Sequence, residues 1–70
     1  HSDWSVSMMT ERIAIAIALA RALNIEVDIS ALVIPLLVNE VSRAGIPPKS
    51  LFESRFVALP SGEVRCDMPD

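Results

Sequence analysis

The run Ile13–Leu23, reading I-A-I-A-I-A-L-A-R-A-L, constrains this chain more than any other stretch. Its Ile/Ala alternation has the period of two that marks a β-strand. Alanine, however, is the best helix former and is depleted in strands, and Ala14, Ala16, Ala18, Ala20 and Ala22 recur throughout it. The composition therefore favours a helix. Thr10 is its expected N-cap, Glu11 suits the positive end of its dipole, and Asn24 suits its termination. Wound as a helix, Met9, Ile13, Ile17 and Ala20 fall on one flank. Ile15, Leu19 and Ala22 fall on another, with Ala16 and Leu23 between them. The apolar arc is wider than the ~100° stripe of an ordinary surface helix. One flank can serve a core while the other meets a partner.

Chain length sharpens that expectation. Seventy residues make one domain, and a domain this small buries only about 60% of the surface its unfolded chain exposes. Such domains usually need a disulfide, a metal or a partner subunit. Cys66 is the single cysteine and His1 the single histidine, so an intrachain disulfide is impossible and a metal site is not expected. Oligomerisation is the remaining stabiliser. The composition agrees, because 51% of the residues are apolar yet only Trp4, Phe52 and Phe56 are aromatic. That much aliphatic surface on a short chain suggests that part of it faces a partner. A lone thiol fits a reducing compartment, and a cytoplasmic setting is expected.

Downstream of the helix, Ile25-Glu26-Val27-Asp28-Ile29 alternates cleanly and reads as a short half-buried strand with Glu26 and Asp28 outward. Ser30 is a candidate cap for a second helix. Pro35 either starts that helix or kinks one begun at Ser30. From Pro35 to Ala44, Leu37, Val38, Val41 and Ala44 share a face opposite Asn39, Glu40 and Arg43, and Gly45 ends the element. Pro48 can open a short third helix over Lys49–Ser54 that buries Leu51 and Phe52. Leu59-Pro60-Ser61-Gly62 carries proline at the second turn position and glycine where a left-handed residue is wanted, which predicts a three-residue hairpin loop. Closing Leu59 on Glu63 sets Ala58 against Val64 and Phe56 against Cys66 on an inner face. Val57 then faces Arg65, and Arg55 lies opposite Asp67 as a cross-strand ion pair. Residues 1–8 read as an expression scar or disordered N-terminus, residues 9–67 as a single α+β domain, and residues 68–70 as a frayed tail.

The order helix, strand, helix, turn, short helix, hairpin resembles a winged helix, whose second and third helices form a helix-turn-helix. Gly45 falls at the turn glycine and Leu51 at the buried position of the second helix, whereas Val41 and Glu40 depart from the pattern. The resemblance implies a dimeric DNA-binding regulator in which Lys49, Arg55 and Arg65 contact backbone phosphates. A net charge of −3 weighs against it, since such binding is driven by phosphate neutralisation.

Catalysis has little support. Glu26 and Asp28 are the only close same-face carboxylates and read as the solvent side of a strand. Cys66 reads as a small core residue, and the two glycines are explained by turns. No run approaches the roughly 20 apolar residues of a membrane span. No cofactor, metal or catalytic residue is assigned. The expectation is a small three-helix α+β domain with a C-terminal hairpin, homodimeric or larger. It would act non-enzymatically as an assembly module, or as a docking domain of a longer protein. Its interface would be drawn from Ile13, Ile15, Ile17, Leu19 and Leu23, with a second copy or another protein as partner.

Overall fold

The computed structural model describes residues 5–69. The elements are α1 (Val6–Leu23), β1 (Val27–Asp28), α2 (Ser30–Arg43), α3 (Pro48–Phe52), β2 (Arg55–Ala58) and β3 (Val64–Asp67). The three strands form one antiparallel sheet in the order β1-β2-β3. The first helix packs on α2, β1 and β2, and α3 packs on α2, so the helices cover one face of the sheet and β3 lies beyond them. This is the small three-helix α+β domain with a C-terminal hairpin that the sequence predicts.

The first helix starts earlier than Thr10. Ser5 is its N-cap, with Oγ accepting the Met8 N–H at 3.2 Å. Nothing in Val6–Met9 breaks a helix, and α1 extends back through these residues to Val6. Thr10 sits inside the helix, its hydroxyl donating to the Val6 carbonyl at 2.8 Å. Residues 1–4, with Trp4, lie outside the described residues, as does Asp70.

Both long helices end in the same way. Asn24 adopts the left-handed conformation (φ 54°), and the Ile25 N–H donates back to the Ala20 carbonyl at 3.1 Å. Gly45 (φ 79°) follows α2, and the Ile46 N–H donates to the Val41 carbonyl at 2.9 Å. Each is the six-to-one hydrogen bond of a Schellman motif.

Pro35 does not start α2. The helix runs from Ser30 through the proline to Arg43. Asp28, and not Ser30, satisfies its first turn, Oδ1 accepting the Ser30 N–H at 2.9 Å. The Ser30 hydroxyl is used elsewhere, accepting the Phe56 N–H at 2.9 Å. The third helix ends at Phe52, two residues before the predicted Ser54. It buries Leu51 but leaves Phe52 61% exposed.

The hairpin has the expected register in every pair, with Arg55, Phe56, Val57 and Ala58 opposite Asp67, Cys66, Arg65 and Val64. The Gly62 N–H donates to the Leu59 carbonyl at 2.9 Å, and Gly62 takes φ +93° as the turn requires. Its burial differs from expectation. Phe56 and Ala58 enter the core with Ala16, Ala20, Ile29 and Leu51. Val64 and Cys66, on the same face, are exposed, because the helices roof β1 and β2 but not β3. The Arg55–Asp67 ion pair does not form either. Arg55 Nε reaches Asp28 Oδ2 at 3.1 Å, and Asp67 is taken by Arg65 at 3.2 Å.

The resulting core is thin. Ile29 and Val57 are the only large side chains with essentially no exposure among the described residues, and no residue of α2 is fully buried. The accessible surface is 4899 Å², against about 4,300 Å² for a compact monomer of this mass.

Candidate protein interface on the first helix

The apolar side chains of α1 divide between two environments. Ile13 and Ile17 are half-buried and pack on the core around Ala16 and Ala20. Ile15, Leu19 and Leu23 face solvent, at 53%, 46% and 60% exposure. Of the five residues the sequence offers as a seam, the structure thus brings three together on the outside and turns two inward.

The outer stripe is longer than those three. Met8, Ile15 and Ala22 recur every seven residues, and at 100° per residue Leu19 and Leu23 follow on the same side. Together they span about 100° of arc, the width of a buried stripe on a globular helix. Among these residues only Arg12 interrupts the arc. Two shallow depressions run along the stripe. One, of about 200 Å³, lies among Met8, Glu11, Arg12 and Ile15. The next, of about 240 Å³, is lined by Arg12, Ile15, Ala16, Leu19 and Leu32 of α2. They share Arg12 and Ile15 and adjoin along α1, open to solvent, with Glu11 and Arg12 among the apolar lining. Met8 and Leu32 are absent from the sequence-derived seam. The seven-residue interval from Met8 to Ile15 is the signal for the first, hidden by setting residues 1–8 aside. Leu32 is brought in by the α1–α2 packing, which no local pattern encodes.

The outer face of the sheet is polar. Val57 is fully buried there between its register partners Asp28 and Arg65. Arg55 pairs with Asp28, while Arg65 pairs with Asp67 and reaches across β2 to Glu26 at 3.6 Å. The Ser30 N–H, then the Ser30 hydroxyl and then Arg55 hold the Asp28 carboxyl below its ordinary value. Asp67, and after it Glu26, raise the pKa of the Arg65 guanidinium. Two of the three cations assigned to phosphate contact are thus engaged with carboxylates, and Lys49 stands apart from them on α3. Glu26 and Asp28 each hold an arginine, and Ser54, the one buried polar side chain among the described residues, donates to the Ser50 carbonyl at 2.7 Å.

Among the described residues, no three His, Cys, Asp or Glu side chains gather as metal ligands, and His1 lies outside them. No helix described is long and apolar enough to cross a membrane. Comparison with protein-family models, with curated proteins and with solved structures finds no match to this chain.

Proposed function

We propose that this chain is a non-enzymatic assembly module whose first helix associates with a second copy of itself through the Met8–Ile15–Leu19–Leu23 stripe. The observation that carries this reading is the uncovered outer flank of α1, a full apolar stripe on a domain with a thin core. Apolar burial stabilises by roughly 25 cal/mol per Å², and this flank is the largest unused source of it on α1. A homodimer joined along α1 would also supply the stabilisation that neither a disulfide nor a metal provides. The reading places the module in the cytoplasm, where the exposed Cys66 thiol stays reduced.

The winged-helix regulator draws less support. A recognition helix lays several side chains along the major groove, whereas α3 has five residues, about 7.5 Å of helix. Arg55 and Arg65 would have to leave their carboxylates to meet phosphate.

Light scattering on the full chain tests the proposal. The wild type is expected to be dimeric or larger at micromolar concentration, with an unfolding midpoint that rises with protein concentration. The double substitution Ile15→Glu/Leu19→Glu should lower the mass while leaving the circular dichroism of a folded α+β domain. A wild type that is monomeric throughout, or a double variant of unchanged mass, defeats the α1 seam.

A further inference from the structure

We propose that β3 is a second self-association surface. Two copies pair antiparallel along it, about a two-fold axis at Cys66, and join two three-stranded sheets into one of six strands.

The hydrogen-bond directions around β2 establish which groups β3 leaves open. Phe56 directs both backbone groups toward β1. Its carbonyl accepts the Ile29 N–H at 2.8 Å and its N–H donates to the Ser30 hydroxyl. At the turn, the Leu59 N–H donates to the Glu63 carbonyl at 2.8 Å, so Leu59 and Glu63 are a hydrogen-bonded pair. Such pairs alternate along an antiparallel ladder. Residues 63, 65 and 67 therefore aim their N–H and C=O groups at β2, and Val64 and Cys66 aim theirs outward at the open edge. The opposite edge of the sheet is only the two residues of β1. Natural proteins usually blunt an exposed edge strand with short length, proline or obstructing charge. Here β3 has four residues, all exposed, its only proline is at 69, beyond the strand, and its two charges, Arg65 and Asp67, are of opposite sign and pair with each other.

The edge itself selects the occupant. In a symmetric antiparallel pair, outward groups must meet outward groups. The registers left to test centre on residue 65, 66 or 67. Centring on Arg65 sets two guanidiniums face to face, and centring on Asp67 sets two carboxylates face to face. Like charges directly opposite are destabilising. Centring on Cys66 places Arg65 opposite the partner's Asp67 and Asp67 opposite the partner's Arg65. It also sets Val64 beside the partner's Met68. Val64 and Met68 are 44% and 63% exposed in the single chain, on the face that carries Phe56 and the core. That register buries apolar against apolar on one face and pairs opposite charges on the other. No foreign strand is needed to meet these demands, because the strand is complementary to itself.

This surface is separate from α1 and stands independently of it. Two different two-fold seams on one chain give each copy two neighbours, so with both in use the assembly is a closed tetramer or an open chain.

Thiol cross-linking of the full chain tests the register. A hydrogen-bonded pair has Cα atoms about 5.5 Å apart, inside the 4.4–6.8 Å window of a disulfide. Diamide takes two electrons and two protons from the paired thiols, and the wild type should form a Cys66–Cys66 dimer on a non-reducing gel. In Cys66→Ser/Val64→Cys the two thiols lie about 14 Å apart across the axis, and cross-linking should be about tenfold slower. Asp67→Lys, which opposes the partner's Arg65 with a like charge, should slow Cys66 cross-linking about tenfold. Ile15→Glu/Leu19→Glu should leave it unchanged, which separates this seam from α1. Equal rates for cysteine at 64 and 66, indifference to Asp67→Lys, or a wild type that resists cross-linking each overturn the proposal.

Discussion

The strand β2 and the helix α1 both carry apolar runs, and the fold treats them differently. Phe56, Val57 and Ala58 are buried on both faces of the sheet. The helices cover Phe56 and Ala58, and on the far side the fully buried Val57 lies in register with Asp28 and Arg65, whose side chains pair with Arg55 and Glu26. In α1, Ile13 and Ile17 are covered, but Ile15, two residues from each, is not. The difference lies in what flanks each run. Long charged side chains can lay their aliphatic stems over apolar neighbours while keeping the charge in water. The sheet places arginines on both sides of Val57, whereas the outer arc of α1 carries alanine and leucine with Arg12 alone among them. The chain roofs its strand by itself and leaves the outer flank of its helix open to solvent.

The strongest way to break this comparison is to truncate one side chain from each region. Phe56→Ala should cost about 3 kcal/mol or more, enough to unfold most of a domain of marginal stability. Ile15→Ala should change the stability of the dilute monomer by less than about 0.5 kcal/mol while weakening association. Urea midpoints at two protein concentrations separate these outcomes. Equal losses for both variants at every concentration would make the outer flank part of the monomer's own core.

A smaller effect sharpens the account of the strand. Asp28 does two things: its carboxylate takes the first N–H of α2, and it anchors Arg55 over the sheet. Removing a helix-capping carboxylate costs about 1 kcal/mol, and the exposed ion pair adds little. Asp28→Ala should therefore lower stability by about 1 kcal/mol at neutral pH. The sign of the pH dependence follows from the direction of the shift. The folded chain holds the Asp28 carboxyl below its ordinary value of 3.8, so the unfolded chain binds that proton more readily. The contribution is full above the ordinary value and is lost as pH falls through the folded one. The variant should lose less stability than the wild type on acidification below about pH 4. Parallel acid limbs would show that Asp28 contributes nothing through its charge.

Much of this arrangement is legible in the residues. The hairpin is fully readable because turn chemistry and register are local. Pro60 and Gly62 fix the loop, and closing Leu59 on Glu63 then dictates every pair. The two flanks of α1 are readable from helical periodicity, and so is Asn24 as the stop. Which flank faces inward is not. That depends on where β1 returns after Asn24 and on the seating of Ile29 beneath Phe56, both long-range. The exposure of Cys66 was hidden for the same reason. Alternation assigns it the face of Phe56 but is silent on how far the helices extend over the sheet. The ion pairs escaped a two-strand view of the hairpin, because Arg55 and Arg65 find carboxylates near β1, about forty residues upstream of Arg65 in sequence.

The smallest expected effect tests how Val57 is roofed. Arg65 stands opposite Val57 and sends its guanidinium across β2 to Glu26. If the stem gives the cover, a side chain of similar length without the charge should serve as well. Arg65→Met should then keep the wild-type urea midpoint, because partly exposed ion pairs contribute little. Arg65→Ser, which removes stem and charge together, should lower the urea midpoint by uncovering Val57. Both belong in dilute solution, where pairing along β3 does not contribute. Equal losses for Met and Ser would place the cover in the charge network. In that case the contrast with α1 would rest on electrostatics, and adding one arginine to the outer arc of the helix would not be enough to close it.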